Sequence, residues 1–208
     1  MSETSHRSAR PLRADAENSI ARILAAAEHV FAADPSASLE AVAKAAGVAR
    51  TTVHRRFSSR EDLLDALVDV VNAKLREAAA GANVETAPPL VALYQLTVAT
   101  LELKVDWRAS WQFVDLGSEG ARGIDADNVA KLDSLLQRSL NVGLLRPGVD
   151  LRWVRTVYMS LIHEAAMARP DGESASEWAN LIMQTLLRGV GNTEHDFEAL
   201  LTRSTKRK

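Results

Sequence analysis

Five basic side chains lie within eleven residues of the chain and form a potential anion-binding surface. They are Arg50, His54, Arg55, Arg56 and Arg60, and no Asp or Glu interrupts them. A guanidinium group donates paired hydrogen bonds to phosphate oxygens or to guanine O6 and N7, and an imidazole can donate one more. Basic residues at this density indicate contact with a polyanion, and a solvated basic face is the alternative.

The charges elsewhere in the chain set this cluster apart. Residues 1–60 contain nine Lys and Arg against six Asp and Glu, residues 61–200 contain twelve against twenty-one, and residues 201–208 contain four against none. The net charge of the 208 residues is only −2. A basic beginning and end around an acidic middle indicate that one end of the molecule contacts a polyanion.

Composition excludes several kinds of site. The chain contains no cysteine, so disulfides, thiolate metal sites and cysteine nucleophiles are excluded. It has no apolar run of about eighteen residues and no hydrophobic leader, which predicts a cytoplasmic protein without a membrane partner. A hydrophobic content of 47% is sufficient for a core, and abundant Ala and Leu favour helices.

Two predicted helices precede the basic cluster. Apolar residues at helical spacing predict the first over about residues 15–33, namely Ile20, Ile23, Leu24, Ala27 and Phe31. The same spacing between Leu39 and Ala46 predicts a short second helix, for which Ser38 is the expected N-cap. Gly47 then supplies the positive φ that ends a helix at low cost.

A third short helix carries the basic cluster. Val53 and Phe57 are spaced i, i+4, which predicts a helix over about residues 50–57 with this pair turned inward. Its other face then presents the Arg and His side chains. Helix, glycine turn and short helix form the pattern of a helix-turn-helix, whose second helix fits the ~12 Å wide major groove of B-DNA.

The remainder of the chain also follows the helical period. Ser58 and Glu61 have the S-x-x-E spacing of a capping box, which predicts the start of a fourth helix. Amphipathic stretches separated by Gly, Pro and Ser follow, without the alternation of strands. We predict an all-α fold of about nine helices. Its expected parts are a flexible basic arm (1–14), a helix-turn-helix domain (15–60), a larger helical domain (61–200) and a basic tail (201–208).

The stretch from about residue 20 to 67 resembles the DNA-binding domain of tetracycline-repressor (TetR) type transcriptional regulators. Its sequence, IARILAAAEHVFAADPSASLEAVAKAAGVARTTVHRRFSSREDLLDAL, has the apolar positions of that family, its A-x-x-A-G-V turn and the start of its fourth helix. The matching residues are Ile23, Leu24, Ala26, Ala27, Phe31, Val42, Ala43, Ala46, Gly47, Val48, Phe57, Ser59, Glu61 and Leu63.

The resemblance implies roles for individual residues of the helix-turn-helix. Phosphate contacts are expected for Ser38, His54 and Arg60. Base-edge contacts are expected for Arg50, Thr51 and Arg55, with Thr52 on the same DNA-facing surface.

Four positions depart from the pattern of the family. Ala49 stands where a capping serine is usual, so the third helix lacks that cap. His54 replaces a tyrosine, Arg56 a histidine and Arg60 a lysine. These changes preserve the capacity to bind phosphate, but the DNA sequence that the helix reads does not follow from the resemblance.

The resemblance further implies a ligand pocket and a dimer interface in residues 61–200. The predicted ligand-binding residues are Tyr94, Trp107, Trp111, Gln112, Phe113, Tyr158, Met159, His163 and Met167. The predicted interface residues are Leu161, Ala165, Leu181, Thr185 and Leu186. For each of them, packing in the core of its own subunit is the alternative.

Together these features predict a homodimeric regulator of a palindromic operator in double-stranded DNA. A small apolar or aromatic effector would release it, which corresponds to a repressor. A helical adaptor that binds only proteins is the first alternative, although it would not need the basic cluster. A small helical enzyme is the second, but Met167 occupies the place of the second histidine in H-E-x-x-H, so we expect no metal and no cofactor.

Overall fold

Nine α-helices form the part of the chain that the computed structural model describes, residues 9–114, 122–170 and 172–188, with side chains from residue 18 onward. They are α1 (Ala9–Ala33), α2 (Leu39–Ala46), α3 (Arg50–Arg56), α4 (Arg60–Gly81), α5 (Pro89–Asp106), α6 (Arg108–Trp111), α7 (Ala126–Asn141), α8 (Leu151–Ala168) and α9 (Ala175–Arg188). These residues contain no strand, and the predicted all-α fold is confirmed. No helix among them is both long and apolar enough to cross a membrane.

The first helix begins earlier than its apolar periodicity indicated. α1 starts at Ala9 and not near residue 15. Among residues 9–18 only Leu12 is both large and aliphatic, so the apolar periodicity is too sparse there to indicate a helix. Pro11 is compatible with this start, since backbone N–H groups of a first turn have no partner within the helix. The predicted flexible arm therefore includes helical backbone from Ala9 onward, and residues 1–8 lie outside the described part.

The cap of α4 is shifted by one residue from the prediction. Ser59 Oγ accepts a hydrogen bond from Asp62 N at 3.0 Å, and Asp62 Oδ2 accepts one from Ser58 N at 3.0 Å. The predicted pairing of Ser58 with Glu61 is wrong. The helix starts at Arg60, and the side chain that accepts a hydrogen bond from the residues before it belongs to the third helical residue, Asp62. Hydrogen bonds, first from the Ser58 hydroxyl and then from Ser59, lower the pKa of Asp62.

The chain divides into two compact units. The N-terminal unit contains the described residues up to 74 and those from 106 to 125, and the C-terminal unit contains residues 75–105 and those from 126 onward. The four-residue α6 thus belongs to the N-terminal unit, although the helices before and after it belong to the other.

The N-terminal unit has its own apolar core. Ile23, Ala27 and Phe31 repeat along one side of α1 and are fully buried together with Val42 of α2 and Val53 of α3. Burial of a large apolar side chain contributes about 1.5–3 kcal/mol. This packing is what stabilises α2 and α3, because helices of 8 and 7 residues are too short to persist alone in water.

The C-terminal unit packs α5, α7, α8 and α9 around a second core. Leu93 and Leu101 of α5, Leu135 and Leu136 of α7 and Ile162 of α8 are fully buried there. Alternation of apolar and polar positions at helical spacing produces this burial, as the sequence predicted.

Candidate nucleic-acid interface

Local hydrogen bonds hold the second helix and the turn after it. Ser38 Oγ accepts from Ala41 N at 3.3 Å, so the predicted N-cap is confirmed. Gly47 has φ +63°, and its N–H donates to Lys44 O at 3.2 Å. A side chain at Gly47 would be strained in this left-handed conformation, which explains the glycine.

Arg22 of α1 fastens this turn to the first helix. Its Nη2 donates to Ala46 O at 2.8 Å and to Gly47 O at 3.4 Å. A Cβ added to Gly47 would lie only 3.3 Å from the same Nη2. The sequence did not reveal Arg22, since its partners are 24 and 25 residues away and leave no local pattern.

The third helix turns its basic side outward. Val53 and Phe57 are buried, whereas His54 and Arg55 are exposed, so the predicted orientation is confirmed. The residue before the helix, Ala49, makes no side-chain cap bond. Relative to a serine at this position, the alanine costs about 1 kcal/mol.

The other predicted contact residues surround the same face. Ser38, Arg50 and Thr51 are exposed, and Thr52 is half-buried. Arg55 makes no hydrogen bond or ion pair to any residue that the structure describes. Its five N–H donors are therefore available to an external acceptor.

An acidic residue that was not among the predicted contacts reaches into this basic face. Oε1 of Glu40, in the first turn of α2, lies 2.7 Å from Arg50 Nη2 and 3.7 Å from His54 Nε2. Arg50 Nε donates to the same His54 nitrogen at 3.4 Å. We call Glu40, Arg50 and His54 the Glu40 triad.

The Glu40 carboxyl is stabilised in its ionised form. Its pKa lies below the usual value, chiefly because it accepts a hydrogen bond from its own backbone N–H, with further contributions from Ser38, Arg50 and His54. The carboxylate is therefore negatively charged at neutral pH, next to the side chains that would face DNA.

Arg60 is engaged within the N-terminal unit. Its Nε donates to Ala37 O at 3.3 Å, and its Nη2 donates to Pro35 O. Its Cζ lies 5.1 Å from the ring centroid of Phe31 and 5.9 Å from that of Phe113, within range of cation–π attraction. Arg60 thus orders the loop before α2, and a phosphate contact, which stays a prediction, must use its other N–H groups.

The sequence of this chain matches a known family. Residues 23–67 match the family model of bacterial regulatory proteins, tetR family. The chain is 32% identical over 173 residues to the HTH-type transcriptional repressor LfrR of Mycolicibacterium smegmatis, a match that covers 81% of this chain and 88% of LfrR. The chain belongs to the TetR family of transcriptional regulators.

Solved structures of TetR-family regulators share the fold. LfrR from Mycobacterium smegmatis in complex with proflavine has a TM-score of 0.62 and 26% identity, covering 85% of this chain and 98% of that one. PfmR from Thermus thermophilus has a TM-score of 0.66 and 24% identity, covering 82% and 100%. This TetR-family protein is a DNA-binding transcriptional regulator and not an enzyme.

In this TetR-family chain a buried carboxylate fastens α6 to α1. Glu28 is only 7% exposed. Its Oε1 accepts from Ala109 N at 2.6 Å, and its Oε2 accepts from Ser110 N at 2.9 Å and from the Ser110 hydroxyl. The two N–H groups belong to the first turn of α6 and have no partner within it. Glu28 gave no signal in the sequence because these partners are 81 and 82 residues away.

The structure separates the predicted ligand-binding residues into two groups. Those from 107 to 113 belong to the N-terminal unit, where Gln112 Nε2 donates to Phe31 O at 3.4 Å. The Phe113 ring packs edge-on against Phe31 at 5.6 Å between centroids. Glu28 and Phe31 hold this segment against α1, and its role in binding a ligand stays a prediction. The remaining candidates lie in the C-terminal unit, namely Tyr94, Tyr158, Met159, His163 and Met167.

Two polar pairs lie inside the C-terminal unit. Tyr158 is buried, and its hydroxyl lies 2.9 Å from Thr97 Oγ1. Burial raises the pKa of Tyr158 far above its ordinary value, so the hydroxyl remains protonated. Lys104, which is 1% exposed, places Nζ 3.4 Å from His163 Nδ1. Burial lowers the pKa of Lys104 to about 8.

Lys104 was not among the predicted ligand-binding residues. A lysine in a helix is normally solvated, which is why its side chain was not singled out. A signal was nevertheless present, because Thr97, Leu101 and Lys104 follow one another at i, i+4 and i+7 on one face of α5.

The predicted interface residues mostly face the core of their own unit. Leu161 and Leu186 pack against that core, Ala165 is part of it, and Thr185 is half-buried. Among the five, Leu181 on α9 is exposed, at 55%.

Two further apolar side chains of α8 are exposed. Trp153, which was not a predicted interface residue, is 66% exposed, and Met167, which was predicted to line the ligand pocket, is 46% exposed. Single exposed apolar side chains are common on protein surfaces, and a contiguous patch of them marks a protein–protein interface.

Proposed function

We propose that this TetR-family regulator binds a palindromic operator as a homodimer and is released by a small-molecule effector. The observation that carries the proposal is the outward face of α3, where His54 and Arg55 are exposed while Val53 anchors the helix in the core. A helix anchored on one side and basic on the other suits the major groove. We propose that the protein acts in the cytoplasm.

The proposed DNA contacts follow the exposure of the side chains. Arg55, with no partner among the described residues, and Arg50 read base edges, because a guanidinium pairs with guanine O6 and N7. Thr51 and Thr52 contact the same bases. His54 and Ser38 bind phosphates, and Arg60 adds a phosphate contact through its remaining donors.

The proposed dimer uses α8 and α9. A palindromic operator requires two recognition helices about one helical turn, ~34 Å, apart, which a two-fold symmetric dimer provides. Trp153, Met167 and Leu181 are exposed apolar side chains on these two helices, and we place them in the interface. Leu161, Ala165, Thr185 and Leu186 then support the interface from beneath.

The proposed effector binds in the C-terminal unit. The relative LfrR has a structure in complex with the small molecule proflavine, and this supports our proposal that a small molecule also binds this chain. Tyr158, Thr97, Lys104 and His163 bring hydrogen-bonding groups into an otherwise apolar interior, a composition that suits a mainly apolar molecule with a few polar atoms.

Release from DNA requires that the effector distinguish two states of the protein. An effector that binds the DNA-competent and the released state equally well leaves operator affinity unchanged. In this proposal residues 15–60 read DNA and residues 61–200 bind the effector and the second subunit. Residues 1–14 are proposed as a basic arm and residues 201–208 as a basic tail.

The test is selection of bound duplexes from a random pool, followed by affinity measurement against salt. We expect an enriched palindrome and a loss of about 10³-fold in affinity between 50 and 200 mM salt if 6–10 phosphates are contacted. Light scattering of the free protein should give the mass of a dimer. Absence of an enriched sequence, or a monomer at the concentrations that bind DNA, would refute the proposal.

A further inference from the structure

The Glu40 triad places an acid within the surface that is proposed to meet DNA. The Glu40 carboxylate lies on α2 but contacts Arg50 and His54, both on α3. The side chains of Glu40, Arg50 and His54 are 44%, 67% and 40% exposed, so water and salt reach all three.

Folding stability does not account for this arrangement. An ion pair this exposed contributes little to stability, because solvent screens it and two long side chains must be ordered to form it. The adjoining core, with Val42 on α2 and Val53 on α3 fully buried, already holds the two helices together.

The negative charge should also weaken binding to any DNA. A carboxylate beside phosphates repels them, and an arginine that it neutralises attracts them less. This loss of general affinity applies to every sequence equally. Any benefit of the carboxylate to DNA binding must therefore lie in discrimination between sequences.

The geometry of Arg50 indicates what that benefit is. Its Nη2 is directed to Glu40 and its Nε to His54, so two N–H groups of Nη1 and one of Nη2 remain. These form the end of the guanidinium that matches O6 and N7 of guanine. Arg50 is the first residue of α3 and follows Ala49, which makes no side-chain cap bond. The helix terminus therefore does not fix the Arg50 side chain, whereas the ion pair with Glu40 does.

We propose that Glu40 is a specificity-determining residue that positions Arg50 for a base edge and keeps its guanidinium from pairing with phosphates. This inference rests on the proposed function, because it assumes that Arg50 faces an operator. Arg55 has no such acid beside it among the described residues, so no ion pair of this kind positions its guanidinium for a base.

The experiment compares Glu40→Gln with the wild-type full-length protein on two duplexes, the selected operator and a random sequence of equal length. At fixed salt we expect Glu40→Gln to bind the random duplex about three- to tenfold more tightly, because a charge that repels phosphates is removed. We expect the ratio of operator to random affinity to fall about tenfold, the scale of one arginine–guanine pair. Far-UV circular dichroism should show unchanged helix content.

The matched control is Glu61→Gln. Glu61 is an exposed acid in the first turn of α4, as Glu40 is in the first turn of α2, but it makes no contact with Arg50. Its substitution removes the same charge and should leave the operator-to-random ratio unchanged within about twofold. In an Arg50→Ala background, Glu40→Gln should likewise leave the ratio unchanged, since the side chain that it positions is absent.

Two outcomes would overturn the inference. One is a ratio that Glu40→Gln leaves unchanged, which would mean that Glu40 acts only through general repulsion. The other is a fall in the ratio that persists in the Arg50→Ala background, which would mean that Glu40 acts without Arg50. If the wild-type protein itself does not prefer any duplex to random DNA, the proposed function has failed, and that result is distinct from both.

Discussion

The outer face of α2 and α3 and the interior of the C-terminal unit place charged groups in opposite settings. On the outer face Arg55 is exposed and Glu40 contacts Arg50 in water, whereas in the interior Lys104 is buried beside His163. Exposed charges determine which partner is bound and hardly affect folding, because solvent screens them. Buried polar groups affect folding strongly. Substitutions in the two regions should therefore separate DNA affinity from stability.

The largest effect is expected for Glu28, a buried polar group of the N-terminal unit to which the same rule applies. Glu28→Ala leaves the buried N–H groups of Ala109 and Ser110 without their acceptor, and such groups cost about 1–3 kcal/mol each. We expect the free energy of unfolding in urea to fall by roughly 3 kcal/mol. The control is Glu61→Ala, which removes an exposed acid and should change the free energy of unfolding by less than about 0.5 kcal/mol. Equal effects of the two variants would contradict the role of Glu28.

The second effect concerns DNA affinity and not stability. Arg55→Ala should weaken operator binding by about 10- to 100-fold through loss of an arginine–base pair. The urea midpoint should stay unchanged, because Arg55 has no partner among the described residues. Fluorescence anisotropy with operator and random duplexes measures both affinities. Equal weakening on every sequence would mean that Arg55 contacts phosphate and not a base.

The third effect is a pH dependence from Lys104. Its folded pKa, about 8, lies below the unfolded value of 10.5, so the unfolded chain binds more protons between these values. Stability contributed by this group therefore rises from pH 8 to pH 10, by roughly 1–2 kcal/mol after allowance for water penetration. Lys104→Met should remove that rise. If the free energy of unfolding changes with pH in the same way in the wild-type protein and in Lys104→Met, the assignment is refuted.

The smallest effect is expected for a single buried hydroxyl. Tyr158→Phe removes the partner of Thr97 Oγ1, which also donates to Leu93 O at 2.7 Å and so keeps one hydrogen bond. We expect a loss of about 1 kcal/mol in the free energy of unfolding. Operator affinity without effector should not change. A change in operator affinity of more than about threefold would contradict the expectation that substitutions in this interior affect stability and not DNA affinity.

Local patterns in the sequence predicted the conformation of the helix-turn-helix well. The cap at Ser38, the turn at Gly47 and the inward pair Val53 and Phe57 depend on neighbours within a few residues. Short-range rules of capping, backbone conformation and helical spacing therefore suffice for them. The family resemblance then supplied the role of the surface.

Contacts between distant parts of the chain were not predictable in this way. Glu28 resembles an ordinary helix acid, and its partners in α6 are more than 80 residues away. Glu40 resembles a residue that favours the N-terminal dipole of α2, and only the packing of two helices brings Arg50 to it. The contact between the Phe113 ring and Phe31 of α1 likewise left no local pattern, and the assignment of Phe113 to a ligand pocket stays a prediction.

The place of α6 in the N-terminal unit has a practical consequence for protein engineering. Ala109 and Ser110 satisfy the Glu28 carboxylate, yet they follow a whole helix of the other unit in the chain. A fragment cut after residue 74 would keep every side chain proposed to touch DNA and lose the piece that covers α1. A chimera that transfers this DNA specificity to another regulator must therefore carry two separate stretches of sequence, the obvious one and the one around α6.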